Sequence, residues 1–180
     1  LVSEQEDLTS AEAAAFHRCG PFLSELETTA MSKSFKMVLL EAFQELDGWR
    51  RPPTLEELAN RSRRVLDRRR SLLADLPERF QTEQDPNAPD WRRYWRGNPI
   101  GAWAGENRKT GIQPFFAVSD GRFVPRFDVD AAWRDALIDL TQELIDYRLG
   151  RYEERAETSD LPESANRTPS SSPGRQQLAY

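Results

Sequence analysis

Apolar residues recur every three to four positions along three stretches of this chain, and that period limits the fold more than any motif does. Phe35, Val38, Leu39, Ala42, Phe43 and Leu46 make the first stripe. Leu55, Leu58, Ala59, Ser62, Val65, Leu66, Leu72 and Leu73 make the second. Trp133, Leu137, Leu140, Leu144 and Tyr147 make the third, widened by Ile138, Ile145, Leu149 and Tyr152. The first predicts a helix over about 34–46, with Gly48 placed to end it. The second follows Pro52-Pro53 and opens on Thr54-Leu55-Glu56-Glu57, a capping box, so a helix is expected from there to about Leu73. Arg69 points into its apolar side, which requires either a snorkelling stem or a bend. The third predicts a helix from about Asp130 to Arg155.

An earlier capping box, Thr9-Ser10-Ala11-Glu12, opens a helix expected to stop at Gly20-Pro21, followed by a short piece over about 22–29. Residues 77–90 read as loop. Asp90 is placed to cap a short aromatic helix, Trp91 to Trp95, and Asn98-Pro99 has the form of an N-cap followed by proline, opening a brief helix through Trp103. Strand signals occur once: Phe115 to Val118, then Ser119-Asp120-Gly121-Arg122, then Phe123 to Phe127, with Pro125 marking an edge.

The reading is therefore a mainly α chain with one small hairpin near 113–127 (α+β), built on about four to six helices. Three parts are expected: an acidic helical segment over 1–29, a main helical domain over 30–155, and a Ser/Pro-rich linker over 156–180 that lacks the apolar residues to order itself. Two helices followed by a hairpin resemble a winged helix. Two features depart from it: the helix from Leu55 has no glycine-type turn to set off a recognition helix, and the stretch around 77–105 is a large insertion.

A chain of 180 residues, 38% hydrophobic with five Trp and nine Phe, can fill one ordinary core. No apolar run approaches the roughly 18 residues that a membrane span needs, so no membrane partner is expected. A single cysteine, Cys19, excludes an internal disulfide framework and suits a reducing cytoplasm. The start, Leu1-Val2-Ser3, lacks Met and any signal-peptide pattern and is read as the boundary of a piece of a longer protein.

The net charge of −5 hides a segregation. Residues 1–29 hold six acids against Arg18, and residues 128–155 hold eight acids against four arginines. Between them, residues 50–70 hold eight arginines against Glu56, Glu57 and Asp67. Local fields steer partners more than net charge does. Arg61, Arg64 and Arg68 fall together on one flank of the predicted second helix, with Arg63 and Arg70 on the other. Arginines spaced this way can meet successive phosphates; Lys33 and Lys36 extend the patch if the first helix's N-terminus lies alongside. These five, Arg61, Arg64, Arg68, Lys33 and Lys36, are the candidate DNA contacts. Their alternative is a solvated face, with Arg61 paired to Glu57.

Catalytic chemistry finds little to use. No Gly-x-x-x-x-Gly-Lys loop is present. One histidine, His17, cannot make a two-histidine metal site, and His17 with Cys19 offers two ligands and no more nearby. The pairs Asp135/Asp139 and Glu143/Asp146 have helical spacing suited to a solvated face. Trp91, Tyr94, Trp95 and Trp103, interleaved with Arg92, Arg93 and Arg96, could stack on bases; packing onto the core is the simpler use of such rings. No catalytic residue, metal site or cofactor is assigned to this piece.

Three stretches carry a resemblance. Met31-Ser32-Lys33-Ser34-Phe35-Lys36-Met37-Val38-Leu39-Leu40 is similar to a Lys-Ser-aromatic-Lys-hydrophobic run of bacterial DNA-processing proteins. Asn98-Pro99-Ile100-Gly101-Ala102-Trp103 precedes the hairpin, and the closing helix carries Leu140, Glu143-Leu144, Asp146-Tyr147-Arg148-Leu149 and Tyr152. In this order, over about residues 30–155, they resemble the region after the motor in multidomain bacterial DEAD/DEAH-type superfamily 2 helicases. Some of those resemble defence or restriction proteins, with a phospholipase-D-like nuclease before the motor and a LexA-like peptidase domain at the far end. Gln176 to Tyr180 would suit a linker entering such a domain. The resemblance implies a non-catalytic accessory module of an ATP-driven DNA machine, since none of the family's ATP-binding or nuclease motifs lies here. Two roles stay open: weak, sequence-independent gripping of DNA beside the motor, or a scaffold docking other domains of the same polypeptide without touching nucleic acid.

Overall fold

The computed structural model describes residues 9–82, 85–106 and 114–159. Thr9 opens the first helix through both arms of its capping box: its hydroxyl accepts from the Glu12 amide at 3.2 Å, and the Glu12 carboxylate accepts from the Thr9 amide at 2.6 Å. Helix α1 then runs Ser10–Thr28, straight through Gly20-Pro21, where a break was expected. A proline inside a helix costs about 3 kcal/mol. The stripe Ala15, Cys19, Phe22, Leu23 and Leu26 is buried continuously across it, and burial at about 1.5–3 kcal/mol for each large apolar side chain offsets that cost. Arg148 closes the helix from another element, donating to the carbonyls of Leu26 (3.2 Å), Glu27 and Thr29. A cation at a helix C-terminus is electrostatically well placed.

Helix α2 spans Phe35–Glu45. The left-handed residue after it is Asp47 (φ 54°), not Gly48. Gly48 serves a different need: a Cβ there would stand 2.4 Å from the Phe43 ring. Helix α3 spans Leu55–Arg68 and is capped as predicted, Thr54 and Glu57 exchanging hydrogen bonds of 2.8 and 3.1 Å. It ends short of Leu73, because Arg69 leaves helical geometry (φ −105°, ψ 72°) and a 3₁₀ turn follows over Arg70–Asp75. The bend anticipated at Arg69 is thus the helix terminus.

Within the stretch read as loop lies a single turn of helix, α4 (Glu78–Gln81). Helix α5 (Pro89–Trp95) takes its cap from Ala88, with Pro89 in the first turn, rather than from Asp90. A kink at Asn98, extended at φ −160°, separates it from α6 (Gly101–Trp103). Trp91, Trp95 and Trp103 are at most 2% exposed. The Trp91 indole donates to the Ala59 carbonyl at 2.9 Å and the Trp103 indole to the Lys36 carbonyl at 3.1 Å. These rings pack the segment onto the core and cannot stack on bases.

Strands β1 (Phe116–Ser119) and β2 (Arg122–Pro125) pair antiparallel, with Val118 opposite Phe123 and Ser119 opposite Arg122. Asp120 and Gly121 both have positive φ, the geometry that Asp-Gly predicts for a tight turn. The hairpin docks on the start of α3: Phe123 donates to the Pro53 carbonyl and Leu55 to the Gly121 carbonyl, both at 3.0 Å, and Thr54 bridges Arg122. A one-residue strand between α2 and α3 thereby pairs with the hairpin, while the segment from Arg69 to Glu106 still separates α3 from β1. Residue 113, the predicted start of the hairpin, lies outside the described residues.

Helix α7 spans Arg134–Ser159, beginning later and ending later than expected. Residues 156–159, assigned to a disordered linker, are helical; 160–180 lie outside the described residues. Its buried stripe is Leu137, Thr141, Ile145 and Leu149, four apart, with Ala136 beside it. Of the row read as the main core stripe, Trp133 and Leu137 are buried, whereas Leu140 and Leu144 are only half-buried and Tyr147 is exposed, so its second half lies on the edge of the core. Helix α1 packs on α7, and α2 packs on both α3 and α7. The first helix therefore shares one core with the rest. Phe22 of α1 sits among Trp49, Trp103, Phe115, Phe116 and Phe127, with ring centroids 5.5–6.4 Å away.

Candidate functional site

The arginine island is not the open strip that its helical spacing suggests. Arg68 reaches the Glu45 carboxylate and lies 3.8 Å from Glu41. Arg61 lies 3.4 Å from Glu45, not against Glu57, which is engaged by Thr54 and by Arg51 at 3.5 Å. Arg69 faces three acids: Glu41 at 3.4 Å, Glu153 at 3.4 Å and Asp146 at 3.7 Å. The counter-charges come from α2 and α7, elements brought alongside α3 by packing. Only Arg64 of the three strip residues is exposed and without an ion pair among the described residues.

Lys33 and Lys36 are also engaged. The Lys33 ammonium donates to the Asp75 carbonyl at 2.8 Å and lies 5.2 Å from the Phe35 ring centroid. That of Lys36 donates to the Thr29 hydroxyl at 2.6 Å. The N-terminus of α2, where the helix dipole favours an anion, already holds one. Asp75 accepts from the Ser34 amide at 2.8 Å and from its hydroxyl at 2.6 Å, while Tyr152 donates to its other oxygen at 2.6 Å. Burial, and that bond to a carboxylate, push the Tyr152 phenol up.

Glu41 is the buried member of the ionic seam, 9% exposed, with one carboxylate oxygen lacking a hydrogen bond. Burial raises its pKa; Arg69 and Arg68 pull the other way. Cys19 is buried, and desolvation pushes its thiol up to about 11, while His17 is exposed on another side of α1. Among the described residues no three His, Cys, Asp or Glu side chains gather as a metal site would require. No helix among them is long and apolar enough to cross a membrane.

Two surface cavities bear on function. The first, about 550 Å³, is a groove between α1 and α7 lined by Phe16, Leu23, Leu140, Leu144 and Tyr147, with Gly20 and Ser24 in its α1 wall. Phe16 is 44% and Tyr147 61% exposed; they are the exposed large hydrophobics among the described residues, and both open onto this groove. Its charged lining residues, Glu27 and Glu143, are both acids. The second, about 590 Å³, is polar and lies where α3, the 3₁₀ turn and α4 meet, lined by Arg63, Asp67, Arg70, Leu73, Gln81 and Thr82.

The groove was hidden in the sequence for a definite reason. A helix ending at Gly20 would put Phe16 and Leu23 on different elements, and the periodicity of α7 placed Leu140, Leu144 and Tyr147 inside. No protein-family model, curated protein or solved structure matches the chain.

Proposed function

We propose that this chain is a non-catalytic docking module of a bacterial DNA-processing protein of the DEAD/DEAH helicase kind, and that its α1–α7 groove takes an apolar helix from another domain of the same polypeptide. The observation that carries the docking role is the groove itself. Two large rings, the only exposed large hydrophobics among the described residues, stand open to water on one apolar cleft. Exposed apolar patches of this sort mark interaction surfaces. Two helices with an open seam fit the helix-in-groove mode, read by anchors spaced three and four apart. Glu27 and Glu143 on the walls favour a partner helix with lysine or arginine beside its apolar face. The helicase setting comes from the resemblance of residues 30–155.

The test uses the chain and the proposed motor region of the longer polypeptide, produced separately and mixed in an analytical ultracentrifuge. The parent is expected to associate, and the double variant Phe16→Glu, Tyr147→Glu to bind at least about tenfold more weakly, as for loss of anchors at an interface centre. Association unchanged in the double variant, or absent in the parent, overturns the reading.

A further inference from the structure

The second cavity bears on an anionic ligand, independently of the groove. The arginines of residues 50–70 differ in what holds them. Arg50 pairs with Asp47 and Asp135, Arg51 with Glu57, Arg61 and Arg68 with Glu45, and Arg69 with three acids. Arg64 and Arg70 are exposed and have no ion pair among the described residues. Arg63 is 3% exposed and held from two sides: its Nε donates to Asp67 at 3.0 Å and its Nη1 to the Phe80 carbonyl at 2.5 Å. Its guanidinium also lies 5.6 Å from the Trp91 ring centroid. Its Nη2 makes no hydrogen bond among the described residues.

Arg63, paired with Asp67 but with Nη2 unengaged, and Arg70, without an ion pair, both line this cavity, so one unpaired cation and one fixed guanidinium N–H group meet there. A buried guanidinium fixed at two nitrogens loses little further entropy when the third engages a ligand. The Asp67 carboxylate in the wall is already turned to Arg63, and Arg70 outweighs what negative charge remains. Thr82 adds a hydroxyl, and Gln81, whose amide donates to the Leu76 carbonyl at 2.9 Å, is placed beside it. Arg64, exposed and three residues before Asp67, neighbours it on the helix surface without lining the cavity.

We infer that this cavity is a phosphate site: Arg63 is the fixed donor, Arg70 the mobile clamp, and Arg64 the contact for a neighbouring charge. The phosphate comes from a nucleic-acid backbone or from a free phosphate ion. These residues replace the Arg61–Arg64–Arg68 strip as the place where this chain would meet DNA.

Two titrations test it on the full chain: a short labelled DNA duplex of mixed sequence, followed by anisotropy at several salt concentrations, and inorganic phosphate, followed by calorimetry. Arg70→Glu is the working variant because Arg70 is exposed and not part of the core. Arg93→Glu is the charge control, since Arg93 is 79% exposed on α5, pairs with Asp90 and does not line the cavity. For a backbone site, Arg70→Glu should weaken duplex binding about tenfold and lower the salt slope by about 0.9, with Arg93→Glu changing affinity less than about twofold. For a free-phosphate site, phosphate binds the parent, Arg70→Glu abolishes it, and the duplex does not compete. Either pattern supports the cavity and identifies its ligand. The inference falls if neither probe binds the parent at low salt. It also falls if Arg70→Glu and Arg93→Glu behave alike in both titrations.

Discussion

Around Phe22, rings from α1, the α2–α3 connection, α6 and the hairpin meet edge to face and tilted. Around Glu41, side chains from α2, α3 and α7 meet through charge: Glu41 and Glu45 face Arg61, Arg68 and Arg69, which reaches on to Asp146 and Glu153. Both regions join segments more than 80 residues apart. They differ in what they demand. Aromatic burial is non-directional and needs only volume and dryness. An ionic seam needs each charge met, and its Coulombic gain is largely cancelled by desolvation. The aromatic region should therefore hold the fold together, and the seam should fix how α3 lies against α2 and α7 while contributing little net stability.

The strongest way to break this comparison is Phe22→Ala. Removing a fully buried ring at the centre of the cluster should cost about 3–5 kcal/mol in a denaturant melt. A loss below about 1 kcal/mol would mean that the rings do not act as the core. Next is Arg69→Ala, which leaves the buried Glu41 carboxylate without its nearest cation. The cost should be about 1–3 kcal/mol at neutral pH. It should shrink on acidification, because a protonated Glu41 no longer needs the cation.

Glu41→Gln is a smaller and more diagnostic change. Burial raises the folded-state pKa of Glu41 above its unfolded value. The folded chain then binds the proton more tightly than the unfolded one. Its stability is accordingly highest below the unfolded pKa and declines as pH rises through the folded pKa. Relative to the parent, Glu41→Gln should gain stability as pH rises through the carboxylate range. The opposite slope would show that the seam is a net stabiliser. Glu57 supplies an internal contrast: the Thr54 amide holds its carboxyl below the usual range, so its contribution is lost as pH falls through its folded pKa. The smallest effect should be Tyr147→Ser, which removes an exposed ring from the groove and should change stability by less than about 0.5 kcal/mol. A larger loss would make the groove part of the core rather than a surface kept open.

Local signals were read well. Both capping boxes open helices where Thr9 and Thr54 place them, because a side-chain oxygen two or three residues from a free amide satisfies it without help from elsewhere. The Asp120-Gly121 hairpin is equally local, since positive φ at two successive residues is a property of those residues. Misread features are those in which a distant partner outweighs a local preference. Pro21 does not end α1, because Phe22, Leu23 and Leu26 are buried beyond it. Asn98 does not cap α6, and Leu140, Leu144 and Tyr147 do not form the core stripe of α7. A stripe five residues wide fits helical spacing in more than one rotation, and only the packing against α1 and α2 selects the row Leu137, Thr141, Ile145 and Leu149.

By itself the sequence determined a mainly helical chain with one hairpin, the caps that start its helices, and a concentration of arginine on α3. Only the tertiary structure decided which of those arginines are spent. Glu45 lies 16 residues before Arg61 and Glu153 lies 84 after Arg69. No spacing rule within one helix can report such a pairing, because Coulomb attraction depends on distance in space. The charge that sequence assigned to Arg61, Arg64 and Arg68 is neutralised at two of those positions, and what remains free lies at Arg64, at Arg70 and at one nitrogen of a buried Arg63.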